Sequence, residues 1–182
     1  MKITYKDGKY IDRAGGVTYL AAGVCYEPVS VGDEYAVYGK TVLYEINGLD
    51  PKEWMTEKYD GIGSIYYSEE INLPAFEEFE PNKIYACEVD YIIVRIAEVT
   101  DLIDVNAVTD LYLNGEQTEL PIDGTHSYHL KFSSEKYPGI YYNLLYVIAD
   151  GGNYLYDRDT KRCVEIGGVL EKYIWIAGEN FQ

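Results

Sequence analysis

The chain has 182 residues, of which 47% are hydrophobic and 15% aromatic, with 21 tyrosines against four phenylalanines. Thirty-one acids against 15 bases leave a formal charge of −16 and a pI near 4.4. The apolar content excludes a disordered acidic tail. The charge argues against direct binding to DNA, RNA or anionic lipid, because phosphate binding depends on Lys and Arg releasing counterions.

Short alternating runs cut by turn residues predict antiparallel sheet. Asp7-Gly8 divides Ile3-Thr4-Tyr5 from Lys9-Tyr10-Ile11, and Gly39-Lys40 divides residues 34–38 from 41–46; both pairs suit a tight hairpin turn. Asp50-Pro51-Lys52-Glu53 predicts a helix start, with Asp50 as cap, Pro51 in the first helical position and Glu53 reaching back. Trp54, Met55 and Lys58 would follow, with Gly61 as the stop. Residues 73–83 read as a connection between an N-terminal half, 1–82, and a C-terminal half, 83–182, which could also form one continuous domain.

Ile84–Val94 reads as one long central strand. Tyr85, Cys87, Val89, Tyr91 and Ile93 would share one face, and Ala86, Glu88, Asp90, Ile92 and Val94 the other. Asp101–Val108 predicts a second short helix. Asn114-Gly115 marks a hairpin between Leu111–Leu113 and Glu116–Leu120, since both residues tolerate positive φ. Further strands are expected at His126–Phe132, Tyr141–Ala149, Asn153–Tyr156, Arg162–Ile166 and Leu170–Ile176. The expected fold class is α+β: predominantly antiparallel sheet, built of hairpins and a meander, with one or two short helices.

Signals for chemistry are sparse. Cys25, Cys87 and Cys163 are odd in number and form no CxxC pair, which predicts reduced, buried thiols rather than a disulfide framework. Met1-Lys2-Ile3-Thr4-Tyr5 has no apolar run of signal-peptide type, and no stretch approaches a membrane span; the protein is expected to work inside a cell. His126 and His129 are three apart, so on a strand they face opposite ways and share no metal. Asp157-Arg158-Asp159 lacks the remainder of a calcium loop, and Asp60–Ser64 lacks the spacing of a phosphate loop. No catalytic residue, metal site or cofactor is expected, and the chain reads as a non-enzyme.

The distribution of charge is more informative. From Tyr59 to Leu130 there are fifteen acids and two bases, Lys83 and Arg95, a balance of −13. Within this stretch Ser64–Glu80 combines Glu69, Glu70, Glu77, Glu78 and Glu80 with Tyr66, Tyr67, Phe76 and Phe79. Carboxylates accept charge-assisted hydrogen bonds from Arg and Lys, and rings fill pockets or stack on guanidinium planes. Glu88 and Asp90 add two acids to one end of the expected central strand. These eleven residues form the candidate surface for a basic partner, one that handles nucleic acid. The bland alternative is a loop with its glutamates in water and Phe76 and Phe79 in the core.

The strings Gly61-Ile62-Gly63-Ser64-Ile65-Tyr66-Tyr67 and Leu73-Pro74-Ala75-Phe76-Glu77-Glu78-Phe79, with the size and acidity of the whole chain, resemble type II-A anti-CRISPR proteins, which inhibit Cas9. The resemblance implies a binder of guide-loaded Cas9 that interferes with its engagement of target DNA. Cas9 holds its heteroduplex in a positive channel and reads its short flanking motif through arginines, so an acidic surface has a target there. An immunity protein for a nuclease toxin, and a structural or phage β module with no basic partner, are the alternative readings.

Overall fold

The computed structural model describes residues 1–58, 64–122 and 126–174. The chain forms two compact units, one of Met1–Glu80 with Ser134–Asn143, the other of Pro81–Ser133 with Leu144–Gln182. The first division falls close to the expected 82/83 boundary, but ten later residues return to the first unit.

The first unit contains β1 (Thr4–Lys6), β2 (Lys9–Asp12), β3 (Val17–Ala21), β4 (Tyr26–Pro28), β5 (Val31–Tyr38), β6 (Thr41–Ile46), β7 (Trp54–Glu57), β8 (Ile65–Ser68) and a single helical turn, α1 (Phe76–Phe79). Seven strands form an antiparallel sheet in the order β1-β2-β3-β8-β7-β6-β5. Both expected hairpins are present. Asp7 and Gly8 have φ of 50° and 80°, the left-handed pair that a two-residue turn needs to match strand twist. Ile3, Tyr10, Tyr19, Ala36, Leu43 and Met55 pack together as a core cluster.

The helix expected from Asp50 is not formed. Asp50 does act as a cap: its Oδ1 accepts from the Lys52 N–H at 2.9 Å, and its carbonyl accepts from Glu53 and Trp54. The turn stops there, because all four residues of β7 are buried and β7 lies between β6 and β8. Sheet pairing and burial on both faces outweigh a local capping signal. The expected stop, Gly61, lies outside the described residues.

The second unit contains β9 (Lys83–Val89), β10 (Ile93–Val99), α2 (Leu102–Asn114), β11 (His126–Ser133), most of β12 (Ile140–Ala149), β13 (Gly152–Tyr156) and β14 (Cys163–Glu165). The sheet order is β10-β9-β11-β12-β13-β14. The start of β12 belongs to the first unit, where Ile140–Tyr142 pair with β4; its end pairs with β13. The molecule is thus mostly antiparallel sheet with two helices among the described residues, as its sequence pattern predicts.

Three elements of this unit differ from expectation. Ile84–Val94 is not one strand: the chain folds back after Val89, so that Ile93 pairs with Val89, Val94 with Glu88 and Arg95 with Cys87. Alternation continues through both arms of a hairpin, and this turn contains no Gly, Asn or Pro to announce it. Asn114-Gly115 does not turn a hairpin but ends α2, which runs past Val108. Asp101 Oδ1 caps the helix through the Ile103 N–H at 2.9 Å, and Val105, Val108 and Tyr112 are buried. At the other end the Arg162 guanidinium donates to the carbonyls of Tyr112, Leu113 and Gly115, satisfying groups that a helix end leaves open. The strand expected from Leu170 is a turn in which the Leu170 carbonyl accepts from Tyr173 and Ile174; Trp175 and Ile176 lie outside the described residues.

Asp104, near the start of α2, accepts from Lys172 Nζ at 2.7 Å and from the Tyr173 hydroxyl. The lysine first, then the tyrosine, hold its carboxyl below the ordinary aspartate range. A carboxyl depressed in the folded state contributes stability above its unfolded pKa and loses it as pH falls through the folded value. Asp104→Asn is therefore expected to lower stability at neutral pH, with the difference from the parent vanishing in strong acid. Urea denaturation at neutral pH and below the aspartate range checks this.

Candidate partner-binding surface

In the first unit, the aromatic half of Ser64–Glu80 turns inward. On β8, Tyr66 is half-buried, and its hydroxyl donates to Glu57 Oε1 at 2.9 Å; Tyr10 donates to the same oxygen at 2.7 Å. Burial first, and then this shared carboxylate, push both phenols above the ordinary tyrosine range. The Tyr10 and Tyr66 rings meet edge to face at 4.8 Å. Tyr67 is half-buried beside Trp54. In α1, Phe76 and Phe79 are 5% and 0% exposed. Phe79 stacks on Tyr137 at 5.5 Å and contacts Tyr142, which Phe76 also meets at 5.0 Å. Rings so enclosed are out of reach of a partner.

The glutamates of the segment divide into engaged and open groups. Glu78 Oε2 accepts from the Ala75 N–H at the start of α1, while Glu80 pairs with Lys136 at 2.8 Å and Glu69 with Lys9 at 3.9 Å. Glu70 and Glu77 are exposed. The dense acidic stretch is itself cut by the boundary at Glu80/Pro81. The first unit holds sixteen acids and eight bases and the second fifteen and seven, so each carries −8.

In the second unit, Glu88 and Asp90 are placed differently. They are exposed at the closed end of the β9–β10 hairpin. Between and beside them Tyr91 is 95% exposed, Ile92 70% and Val94 44%. Val94 lies directly opposite Glu88. Of the hairpin's two bases, Lys83 lies at the open end and Arg95 follows Val94, and both pair with Glu98, at 2.9 and 3.6 Å; Arg95 also lies 4.1 Å from the Tyr85 ring. The tip thus carries two carboxylates and two large apolar side chains with no base among residues 88–94. Such a knob can insert a ring into an apolar pocket while its carboxylates accept from Arg or Lys at the pocket rim.

No protein-family model, curated protein or solved structure matches the chain.

Tyr91 and Ile92 escape sequence reasoning because a continuous strand would have covered them; the single signal is Asp90, an acid interrupting an apolar run. His126 is exposed and His129 half-buried on β11, on opposite faces of the strand. His129 stands across from Cys87 on β9, and all three cysteines are buried and in no disulfide. A cavity of about 590 Å³ at the end of α2 is lined by Leu111, Glu116, Glu165 and Ile166 among others, and a smaller one of about 300 Å³ by Lys40, Tyr44, Glu57 and Lys58 among others. Neither brings a His or Cys to an acid. Among the described residues no helix is long and apolar enough to cross a membrane.

Proposed function

We propose that this protein is a non-enzymatic inhibitor that binds a basic nucleic-acid-processing protein, with guide-loaded Cas9 as the favoured target and target-DNA engagement as the blocked step. The observation that carries the reading is the hairpin tip, where Tyr91 and Ile92 stand in water beside Glu88 and Asp90. Large exposed apolar groups on a charged molecule mark interaction sites, and a net charge of −16 selects a basic partner. Carboxylates spaced along a surface compete for a groove built for duplex DNA, which presents one charge per roughly 1.7 Å of axis. The choice of Cas9 among basic targets rests on the resemblance alone.

The test is a titration of the protein into a DNA-cleavage reaction with guide-loaded Cas9 at two salt concentrations. Stoichiometric inhibition that weakens with salt is the expected result. Inhibition of a basic nuclease toxin instead keeps the binding chemistry and changes the target, as for an immunity protein. Failure to bind or inhibit any basic nuclease overturns the reading.

The same assay ranks the two acidic surfaces. Glu88→Gln with Asp90→Asn is expected to slow association about tenfold at low salt and flatten the salt dependence, since flanking charges act mainly on encounter. Replacing Glu69, Glu70, Glu77, Glu78 and Glu80 with Gln is expected to cost less, because three of them already have partners within the chain. A folded five-glutamine variant that no longer inhibits would place the interface on the first unit.

A further inference from the structure

β10 stands at the end of its sheet: β9 pairs with one edge, and no described residue pairs with the other. An open edge is a row of unpaired backbone donors and acceptors, which proteins blunt with lysine, proline or very short strands. β10 has seven residues and neither lysine nor proline, and its one base, Arg95, lies over Tyr85 and against Glu98. Val94 and Ile96 are 44% and 39% exposed. A bulge interrupts the ladder between Arg95 and Ala97, so the regular part of the edge is Ile93–Arg95, next to the apolar tip.

We infer that β10 accepts an extended segment of the basic partner as an added antiparallel strand, with basic and apolar residues alternating along that segment. The inference rests on the basic-partner reading and specifies how the partner is held. Backbone hydrogen bonds to an exposed edge supply affinity, and alternate side chains supply selectivity. The residue placed across from Val94 shares its face with Val94 and, one strand further, with Glu88. A Lys or Arg there reaches over the small Val94 side chain to the Glu88 carboxylate, while Asp90 reinforces the same choice at the tip. A second copy of this chain is disfavoured as occupant, since it brings another −16.

Amide hydrogen exchange on the full chain tests this, with the capped heptapeptide Lys-Val-Lys-Val-Lys-Val-Lys as probe. Exchange across residues 91–99 is expected to slow several-fold. A Lys/Pro peptide of equal charge, which lacks alternate N–H groups, and a Glu/Val peptide should leave it unchanged. Val94→Lys with Ile96→Lys, both at exposed positions, should abolish the protection without altering the fold seen by circular dichroism. Equal protection by the Lys/Pro peptide overturns the inference, since charge alone would then suffice. So does protection, in the free protein, of the β10 amides that face away from β9, whether fixed or rising with protein concentration, because the edge would already be occupied. Inhibition of Cas9 with no change at 91–99 sinks strand addition and leaves the basic-partner reading standing. Lys/Val protection without inhibition of any basic nuclease supports strand addition and removes that reading.

Discussion

Phe79→Ala is expected to destabilise the first unit by about 3–5 kcal/mol, the range for truncating a buried aromatic that leaves a cavity. The ring is fully enclosed and stacks on Tyr137 with an interplanar angle of 13°. Tyr137 and Tyr142 both come from Ser134–Asn143, the segment that returns to this unit. Phe79 therefore helps join α1 to a part of the chain more than fifty positions away, and little local rearrangement can fill the space it leaves. Urea denaturation followed by the fluorescence of Trp54, buried in the same unit, measures the loss. Glu77→Ala, two residues away and exposed, should stay within about 0.5 kcal/mol of the parent. A Phe79→Ala loss as small as that would show that the ring is not packed as described.

Tyr91→Ala has the opposite profile. With 95% of its surface in water, Tyr91 contributes almost nothing to folding, and the variant should denature within about 0.5 kcal/mol of the parent. Binding to the basic partner should weaken by about 30-fold or more, the effect of losing an aromatic anchor worth roughly 2 kcal/mol. The loss should lie chiefly in a faster dissociation rate, because short-range packing governs residence time whereas Glu88 and Asp90 govern encounter. Titration calorimetry and stopped-flow binding separate these contributions. Unchanged affinity with the tip truncated would move the interface elsewhere on the molecule.

These two aromatics show where local pattern stops being informative. Phe79 and Tyr91 both stand beside acids in the same dense anionic stretch, and nothing in their neighbours distinguishes them. One is enclosed because Tyr137 and Tyr142 come back to cover it. The other is exposed because Asp90–Ile92 turn the chain before anything can cover it. Glu80 and Glu77 differ in the same way: Lys136 lies far along the chain but within 2.8 Å of Glu80 in space. The unit boundary at Glu80/Pro81 divides the −13 block between two separately packed parts of the chain.

The sequence alone was sufficient for what depends on neighbours a few positions apart. Alternation with period two specified antiparallel sheet, Asp7-Gly8 and Gly39-Lys40 specified their hairpins through backbone conformations that few residues adopt easily, and Asp101 specified the start of α2 through a carboxylate within reach of a free N–H. Only tertiary structure decided the questions in which distant groups compete. Burial between β6 and β8 made Trp54–Glu57 a strand in spite of its capping signal. The Arg162 guanidinium helped make Asn114-Gly115 a helix terminus instead of a hairpin. Pairing of β10 back onto β9 brought Tyr91 and Ile92 out beside Glu88 and Asp90. In the first two cases burial and long-range hydrogen bonding outweigh local preferences worth about 1 kcal/mol or less, through contacts that sequence proximity does not encode; the third is a local hairpin, and it is hidden because alternation runs unbroken through both arms and the turn holds no Gly, Asn or Pro.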